Sequence, residues 1–121
     1  MLNPAPAQPL PDELLRLTDL CVPNESEIES LTGQRADTTA QVEVAARALR
    51  SQGARDVIVT LGERGVLVLD GQDAIHVPVI PVTAVDPTGA GDAFIGSLAV
   101  YWSEGLKIGR ASCRERVYVL V

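Results

Sequence analysis

The chain has 121 residues, of which 46% are hydrophobic and 21% charged, a composition typical of one ordinary globular domain. Sixteen acidic against ten basic side chains leave a net charge of −6. Such a charge repels nucleic-acid phosphates and anionic lipid, and with 3% aromatic residues there are few rings to stack single-stranded bases. Nucleic acid and membranes are therefore not expected partners.

Cysteine content and the N-terminal segment bear on the compartment. Cys21 and Cys113 are too few for a disulfide framework or a zinc site. The chain does not open with a basic stretch followed by an apolar run, and its longest nearly apolar run, residues 93–102, is about half of what spans a bilayer. We expect a reduced, soluble, cytoplasmic protein.

The first third of the chain predicts a loop, a strand and two short helices. Four prolines among the first eleven residues predict an extended loop, and the acidic pair after Pro11 predicts the start of a short helix. The apolar residues 20–22 predict a buried strand. Asn24 or Ser26 is expected to cap a helix over 25–31.

A longer amphipathic helix and a set of strands follow. Asp37 or Thr38 is expected to cap the helix, which runs to about Gln52 and buries one apolar face: Val42, Ala45, Ala46 and Leu49. Apolar runs predict strands over 57–61 and 66–69 joined by a glycine-bounded turn at 62–65. A hairpin signal then leads to strand-like residues 74–85.

The C-terminal part predicts a buried helix and a tail. Residues 89–105 form a helix pattern that is apolar on nearly every face, which requires burial within a larger structure. The order of elements predicts an α/β fold with a mainly parallel sheet, truncated at both ends. Residues 108–117 resemble a translated sequencing adapter, so we expect 107–121 to be a non-native tail and 1–106 to be the domain portion.

The segment 86–92, with the sequence DPTGAGD, has the residue types of an anion site. Small residues at 89–91 let the backbone approach a ligand closely, and they lead into a helix whose first N–H groups favour a bound anion. Asp92 lies in the first turn, towards that anion. The alternative is that Thr88 is only an N-cap and Asp92 only stabilises the helix dipole, which leaves Asp86 without a role.

This segment resembles the C-terminal signature of the ribokinase-like (PfkB) family of ATP-dependent sugar kinases. NPAPA at 3–7 is typical of members that act on ribose, PNESE at 23–27 resembles the family's Asn-x-x-Glu motif, and TLGERG at 60–65 resembles its strand-turn segment. Together with 86–94 they extend over 2–106 in the family's order. No P-loop motif is present. The resemblance implies a three-layer αβα fold and the C-terminal portion of a kinase domain.

The resemblance also implies roles for individual residues. Asp92 would be the catalytic base and contact the sugar, while backbone N–H groups of Gly89, Ala90 and Gly91 would form the anion hole. ATP would be contacted by a nucleotide-binding set: Asn24, Thr60, Leu61, Gly62, Glu63, Arg64, Gly65, Gly91 and Asp92. Glu27 would organise Mg²⁺, and Asp86 and Thr88 would hold a monovalent cation, K⁺.

The implied reaction is transfer of the γ-phosphoryl of ATP to the 5-hydroxyl of D-ribose. Another family kinase, acting on fructose or a nucleoside, and a non-catalytic truncated binding module are the alternatives. The chain alone is expected to be inactive, and any homodimer of a full-length parent would form through strands outside it. We interpret Cys21 as a core residue, His76 as structural, and Glu25 and Glu29 as a solvated acidic face.

Overall fold

A computed structural model of the chain describes residues 1–79 and 89–105. The elements in chain order are α1 (Asp12–Arg16), β1 (Leu20–Cys21), α2 (Glu25–Thr32), α3 (Thr39–Ser51), β2 (Asp56–Thr60), a 3₁₀ turn (Gly62–Arg64), β3 (Val66–Asp70), β4 (Asp73–Val77) and α4 (Ala90–Ser103). Of the predicted strand at 74–85, residues 74–77 are observed in β4, which ends before Pro78, and residues 80–85 lie outside the described part. The tail predicted at 107–121 lies outside it too.

The four strands form one mixed sheet in the order β1-β2-β3-β4. β1 pairs with β2 in parallel, whereas β2–β3 and β3–β4 are antiparallel. The antiparallel pairs follow from connections that are too short for a parallel crossover. Leu2 extends the parallel side, because its N–H donates to Leu20 O over 2.7 Å and its carbonyl accepts from Val22 N over 2.8 Å. Residue 2 therefore pairs like the end of a strand.

Helices cover both faces of this sheet. Val57 and Val59 of β2 belong to the buried cluster that contains the apolar face of α3, whereas the intervening Ile58 belongs to a second cluster with Phe94 and Leu98 of α4. This alternation is the period of two that places successive strand residues on opposite faces. The α/β prediction and its three-layer αβα arrangement are confirmed.

The predicted helix ends are confirmed at α2 and α3. Asn24 caps α2, Thr38 caps α3, and each has a side chain that accepts a hydrogen bond from a first-turn N–H. Gly33 ends α2 in the left-handed conformation, with φ of 68°. The predicted face of α3 has no solvent exposure at any of its four positions: Val42, Ala45, Ala46 and Leu49.

Helix α4 differs from its prediction in how much of it is covered. Phe94 and Leu98 are buried against the sheet, but Val100 is 56% exposed. Within residues 1–79 and 89–105, the sheet lies against one face of α4 only, so the predicted burial on nearly every face is not seen there. None of the helices described has the length and apolarity needed to cross a bilayer.

The turn between β2 and β3 requires glycine at its end. Gly65 has φ of 94° and ψ of −134°, a region that residues with a side chain avoid. A Cβ at this position would lie 2.0 Å from Val77 O and 2.9 Å from Pro78 Cα. Gly65 therefore allows the β2–β3 turn, which we define as residues 61–65, to pack directly on the backbone that ends β4.

The carboxylates of Asp56 and Asp70 lie near each other at the end of the β2–β3 hairpin that is away from its turn. Partial burial is the main cause that raises the pKa of Asp56 above its ordinary value, and the negative charge of Asp70 adds to it. Arg55 and Arg50 act in the opposite direction without cancelling the increase. The folded state therefore disfavours the ionised form of Asp56.

Leu49→Ala is expected to lower the free energy of unfolding by about 2–5 kcal/mol, because it leaves a cavity in the fully buried face of α3. Leu17→Ala is the matched control: Leu17 is 78% exposed, so the same substitution should change stability by less than about 0.5 kcal/mol. Urea unfolding measures both. Equal effects would contradict the core described here.

Gly65→Ala is expected to cost about 3 kcal/mol or more, because backbone strain and the clash with Val77 O act together. Gly71→Ala separates the two causes. Gly71 also has positive φ, of 59°, but its Cβ would meet no atom of the described residues within 4 Å, so about 1 kcal/mol is expected. Similar losses in thermal unfolding would show that packing on β4 does not constrain the turn.

Asp70→Asn is expected to raise the free energy of unfolding at pH 7 by about 0.5 kcal/mol, because it removes the repulsion of ionised Asp56. A raised folded-state pKa means that stability falls as pH rises through the titration of Asp56, so the gain should vanish by about pH 3. Denaturation across this pH range measures it. The gain should also shrink in an Asp56→Asn background, and a gain that is independent of pH would refute the explanation.

Candidate active site

Two of the motif segments meet where β1 and β2 end. Asn24 forms an isolated parallel bridge with Thr60, and Thr60 N donates to Pro23 O over 3.0 Å. Because β1 and β2 are parallel, their carboxyl ends lie at the same edge of the sheet, which is where open α/β sheets bind ligands. The fold thus places residues 24–27 beside residues 60–65.

Asn24 and Glu27 hold each other through a reciprocal pair of hydrogen bonds. Glu27 N donates to Asn24 Oδ1 over 2.9 Å, and Asn24 N donates to Glu27 Oε2 over 2.8 Å. This is a capping box, which satisfies two backbone donors at the start of α2. The sequence predicts only a cap at Asn24 or Ser26 and not this reciprocal pair of bonds, although the Asn-x-x-Glu spacing is typical of a capping box.

The capping box also fixes the orientation of the Asn24 amide. Its oxygen is used as the acceptor, so its NH₂ group, which can only donate, is directed away from the helix N–H. Asn24 is exposed. A fixed and exposed donor suits an acceptor-rich anion such as phosphate.

The predicted nucleotide-binding residues at 60–65 differ in how far they are exposed to solvent. Gly62 and Glu63 are exposed, Thr60 and Arg64 are half-buried, and Leu61 and Gly65 are buried. Leu61 is 2% exposed and lies in the apolar cluster with α3. Leu61 N donates to Gly65 O over 2.8 Å, which closes the turn. This turn thus exposes backbone atoms and the Glu63 side chain, and it leaves the Arg64 side chain partly exposed.

Glu25 and Glu29 do not form the solvated face that we predicted. Glu25 makes an ion pair with Arg64 of the β2–β3 turn, and Glu29 Oε1 accepts from Ala36 N over 2.8 Å. His76, exposed on β4, places Nε2 2.6 Å from Arg64 O. The two contacts of Arg64 join residues that are 39 and 12 positions apart in sequence, and no local pattern indicates them.

Among residues 1–79 and 89–105, nothing covers the N-terminus of α4. Gly89 precedes the helix with φ of 79°, and a Cβ added at Gly89 or Gly91 would meet no atom of these residues within 4 Å. The first N–H groups of a helix have no partner within the helix, so they are available to an anion. Asp92 is exposed in this first turn. Asp86 and Thr88 lie outside the described residues.

Cys21 is a core residue, as predicted. It is fully buried, and this burial together with the negative charge of Glu27 raises the pKa of its thiol to about 12. The thiol is therefore protonated and contributes packing rather than nucleophilic chemistry.

A Mg²⁺ ion bound with nucleotide would fit Glu27. Among the residues described, no three acidic, histidine or cysteine side chains are grouped as a metal site. Mg²⁺ in phosphate-transfer sites keeps several waters and needs only one or two carboxylates beside the substrate phosphates. The capping box uses only Oε2 of Glu27, so its second oxygen is free of that bond and can serve such an ion.

Known proteins resemble this chain in sequence and in fold. The family model described as pfkB family carbohydrate kinase matches residues 1–114. The deoxyribokinase of Salmonella typhi is 47% identical over 103 residues, which are 84% of this chain and 34% of that protein.

Solved ribokinase structures have the same fold. The Arabidopsis thaliana ribokinase complexed with ribose and ATP superposes with a TM-score of 0.87 at 33% identity, over 93% of this chain and 37% of that one. The Thermotoga maritima ribokinase gives a TM-score of 0.86 at 38% identity, over 98% and 40%.

The chain therefore spans about a third of the length of the curated relatives that it matches. The family model nevertheless covers most of the chain. The matched residues include the motif segments at 23–27, 60–65 and 86–94. From these matches and this architecture, the chain belongs to the pfkB family of carbohydrate kinases.

Proposed function

We propose that this chain is the C-terminal, nucleotide-binding part of an ATP-dependent kinase that phosphorylates the 5-hydroxyl of D-ribose. The observation that carries the proposal is the backbone bridge between Asn24 and Thr60, which brings two motif segments together at one edge of the sheet. Family membership supplies the reaction class, ATP-dependent phosphorylation of a sugar.

ATP binds along the edge formed by residues 24–27 and the β2–β3 turn. The Asn24 amide donates to a phosphate oxygen from the orientation that the capping box imposes. The exposed Gly62 and Glu63 lie along the same edge, where backbone can approach the nucleotide. Glu27 would hold a Mg²⁺ ion, which would supply positive charge against the phosphate oxygens.

The N-terminus of α4 stabilises the phosphoryl group in transit. The transition state of phosphoryl transfer is loose and spreads negative charge over the equatorial oxygens, so positioned N–H donors lower its energy. Gly89, Ala90 and Gly91 supply these donors at the positive end of a 14-residue helix. No atom of the described residues lies within 4 Å of a Cβ added at Gly89 or Gly91, which supports an approach of the phosphoryl oxygens to the backbone there.

Asp92 is the catalytic base. Its exposed carboxylate stands in the same turn as the anion-binding N–H groups, so an acceptor hydroxyl beside it is close to the phosphoryl group. It orients that hydroxyl and takes its proton as the new O–P bond forms and the bond from the γ-phosphorus to the bridging oxygen of ADP breaks. We likewise propose that Asp86 and Thr88 bind K⁺, and that a full-length parent is cytoplasmic and dimerises through strands outside this chain.

A second candidate substrate is 2-deoxyribose. The 47% identity to a deoxyribokinase favours it. Phosphorylation rates with ribose, 2-deoxyribose, fructose and a nucleoside, measured on a full-length kinase that carries this segment, decide between them. The 121-residue chain alone is expected to bind ATP without phosphorylating any of these sugars.

In a full-length kinase that carries this segment, Asp92→Asn is expected to lower kcat by about 10²–10⁴-fold, because the base for the acceptor hydroxyl is lost. The KM for ATP should change less than about twofold, since Asp92 acts on the acceptor. Steady-state kinetics with ATP and ribose measure both.

Asp12→Asn is the matched control, because Asp12 is also an exposed aspartate in the first turn of a helix. It should leave kcat and KM unchanged. Near-normal turnover of the Asp92 variant would refute its role as the base, and a wild-type chain that does not bind ATP would refute the nucleotide site.

A further inference from the structure

Arg64, in the middle of the β2–β3 turn, is held from two sides. Its guanidinium pairs with the carboxylate of Glu25, the first residue of α2. Its carbonyl oxygen lies 2.6 Å from Nε2 of His76 on β4. Side chain and main chain of one residue are thus attached to two different elements.

The ion pair joins the two halves of the candidate nucleotide site. Glu25 follows Asn24 directly, so its bond to Arg64 ties the β2–β3 turn to the backbone that carries the phosphate-contacting amide. The two side chains are only 37% and 38% exposed, so water screens the pair less than it screens a fully exposed one. Arg64 and Glu25 neutralise each other, which leaves Arg64 without a free charge for phosphate.

The hydrogen bond between His76 and Arg64 has a defined donor and acceptor. A carbonyl oxygen can only accept, so Nε2 carries the hydrogen and donates it to Arg64 O. One residue further along, Gly65 packs directly on Val77 O. His76 therefore fixes the turn at the point where it lies on β4, and Glu25 fixes it on the side of α2.

We propose that Glu25 and His76 are positioning residues, which set the place of the β2–β3 turn relative to Asn24 and thereby the affinity for ATP. The proposal rests on the proposed nucleotide site. It also revises the role of Arg64 that the resemblance implied: its guanidinium holds the turn by binding Glu25 instead of contacting ATP.

A double-mutant cycle on the 121-residue chain tests the ion pair, with Glu25→Gln, Arg64→Gln and both together. Positioning predicts that each single variant weakens binding of Mg²⁺–ATP about three- to fivefold and that the double variant is no weaker than either. Amide hydrogen exchange at residues 62–65, without nucleotide, should accelerate by a similar factor. Calorimetry and exchange detected by mass spectrometry or NMR are the measurements.

Glu13→Gln and Arg55→Gln are the matched controls. Glu13 is an exposed glutamate in the first turn of α1, and Arg55 is exposed and lies outside the site. Neither should change ATP affinity or exchange at 62–65. Circular dichroism confirms that every variant is folded.

His76 is tested by a pair of substitutions. His76→Phe removes the donor and should weaken ATP binding about threefold, with faster exchange at 62–65. His76→Gln places an N–H near the position of Nε2 and should restore both quantities towards wild type, which loss of packing alone would not predict.

Direct binding of phosphate by Arg64 predicts a different pattern, and that pattern would overturn the proposal. Arg64→Gln would then weaken ATP binding while Glu25→Gln strengthens it, because it frees the guanidinium. Unchanged exchange at 62–65 in the single variants would also overturn it. If the wild-type chain does not bind ATP, the proposed function fails for this chain, and the exchange cycle alone decides whether Glu25 positions the turn.

Discussion

The parallel pairing of β1 with β2, continued by the bridge from Asn24 to Thr60, is the constraint on which the candidate site depends. Two strands that run in the same direction end at the same edge, so the polar residues that follow them are brought together by backbone hydrogen bonds. Without this pairing, residues 24–27 and 60–65 would be distant segments of the chain. The pairing itself is held by apolar burial on both faces, since Cys21 and Ile58 are fully buried on opposite sides of the sheet.

The hydrogen bonds that stabilise the start of α2 also fix the orientation of the polar side chains that would bind a ligand at this edge. A helix leaves its first N–H groups without partners, and the Asn24–Glu27 capping box satisfies two backbone donors at the start of α2. The same bonds fix the direction of the Asn24 amide and hold Glu27, which is only 8% exposed, in place. A preorganised donor loses little freedom when an anion binds, so helix stability and binding depend on the same contacts.

The β2–β3 turn shows how an edge of the sheet can carry a binding segment. Gly65 allows the turn to lie directly on the backbone of β4, and Leu61 anchors its start in the core. Gly62 and Glu63 are left exposed between these two anchors. The site therefore has rigid supports beneath an exposed backbone, an arrangement that suits close approach by a nucleotide.

Much of the local structure was determined by the sequence itself. The caps at Asn24 and Thr38, the buried face of α3 and the apolar strand β2 follow from side-chain chemistry and periodicity over a few residues. The motif segments also indicated the family and the residues of the edge, including Asn24 and Thr60. Such signals are local, because a cap or an amphipathic face is formed by residues within one or two turns of each other.

Only the tertiary structure decided which distant residues meet. The ion pair of Glu25 with Arg64 and the bond from His76 to Arg64 O depend on strand register and on how α2 packs, which no short pattern encodes. The mixed direction of the strands likewise depends on which strands pair. The described residues cover α4 on one face only, and this depends on how the helix packs against the sheet. Local propensities select the elements, whereas burial and hydrogen bonding between elements select their neighbours.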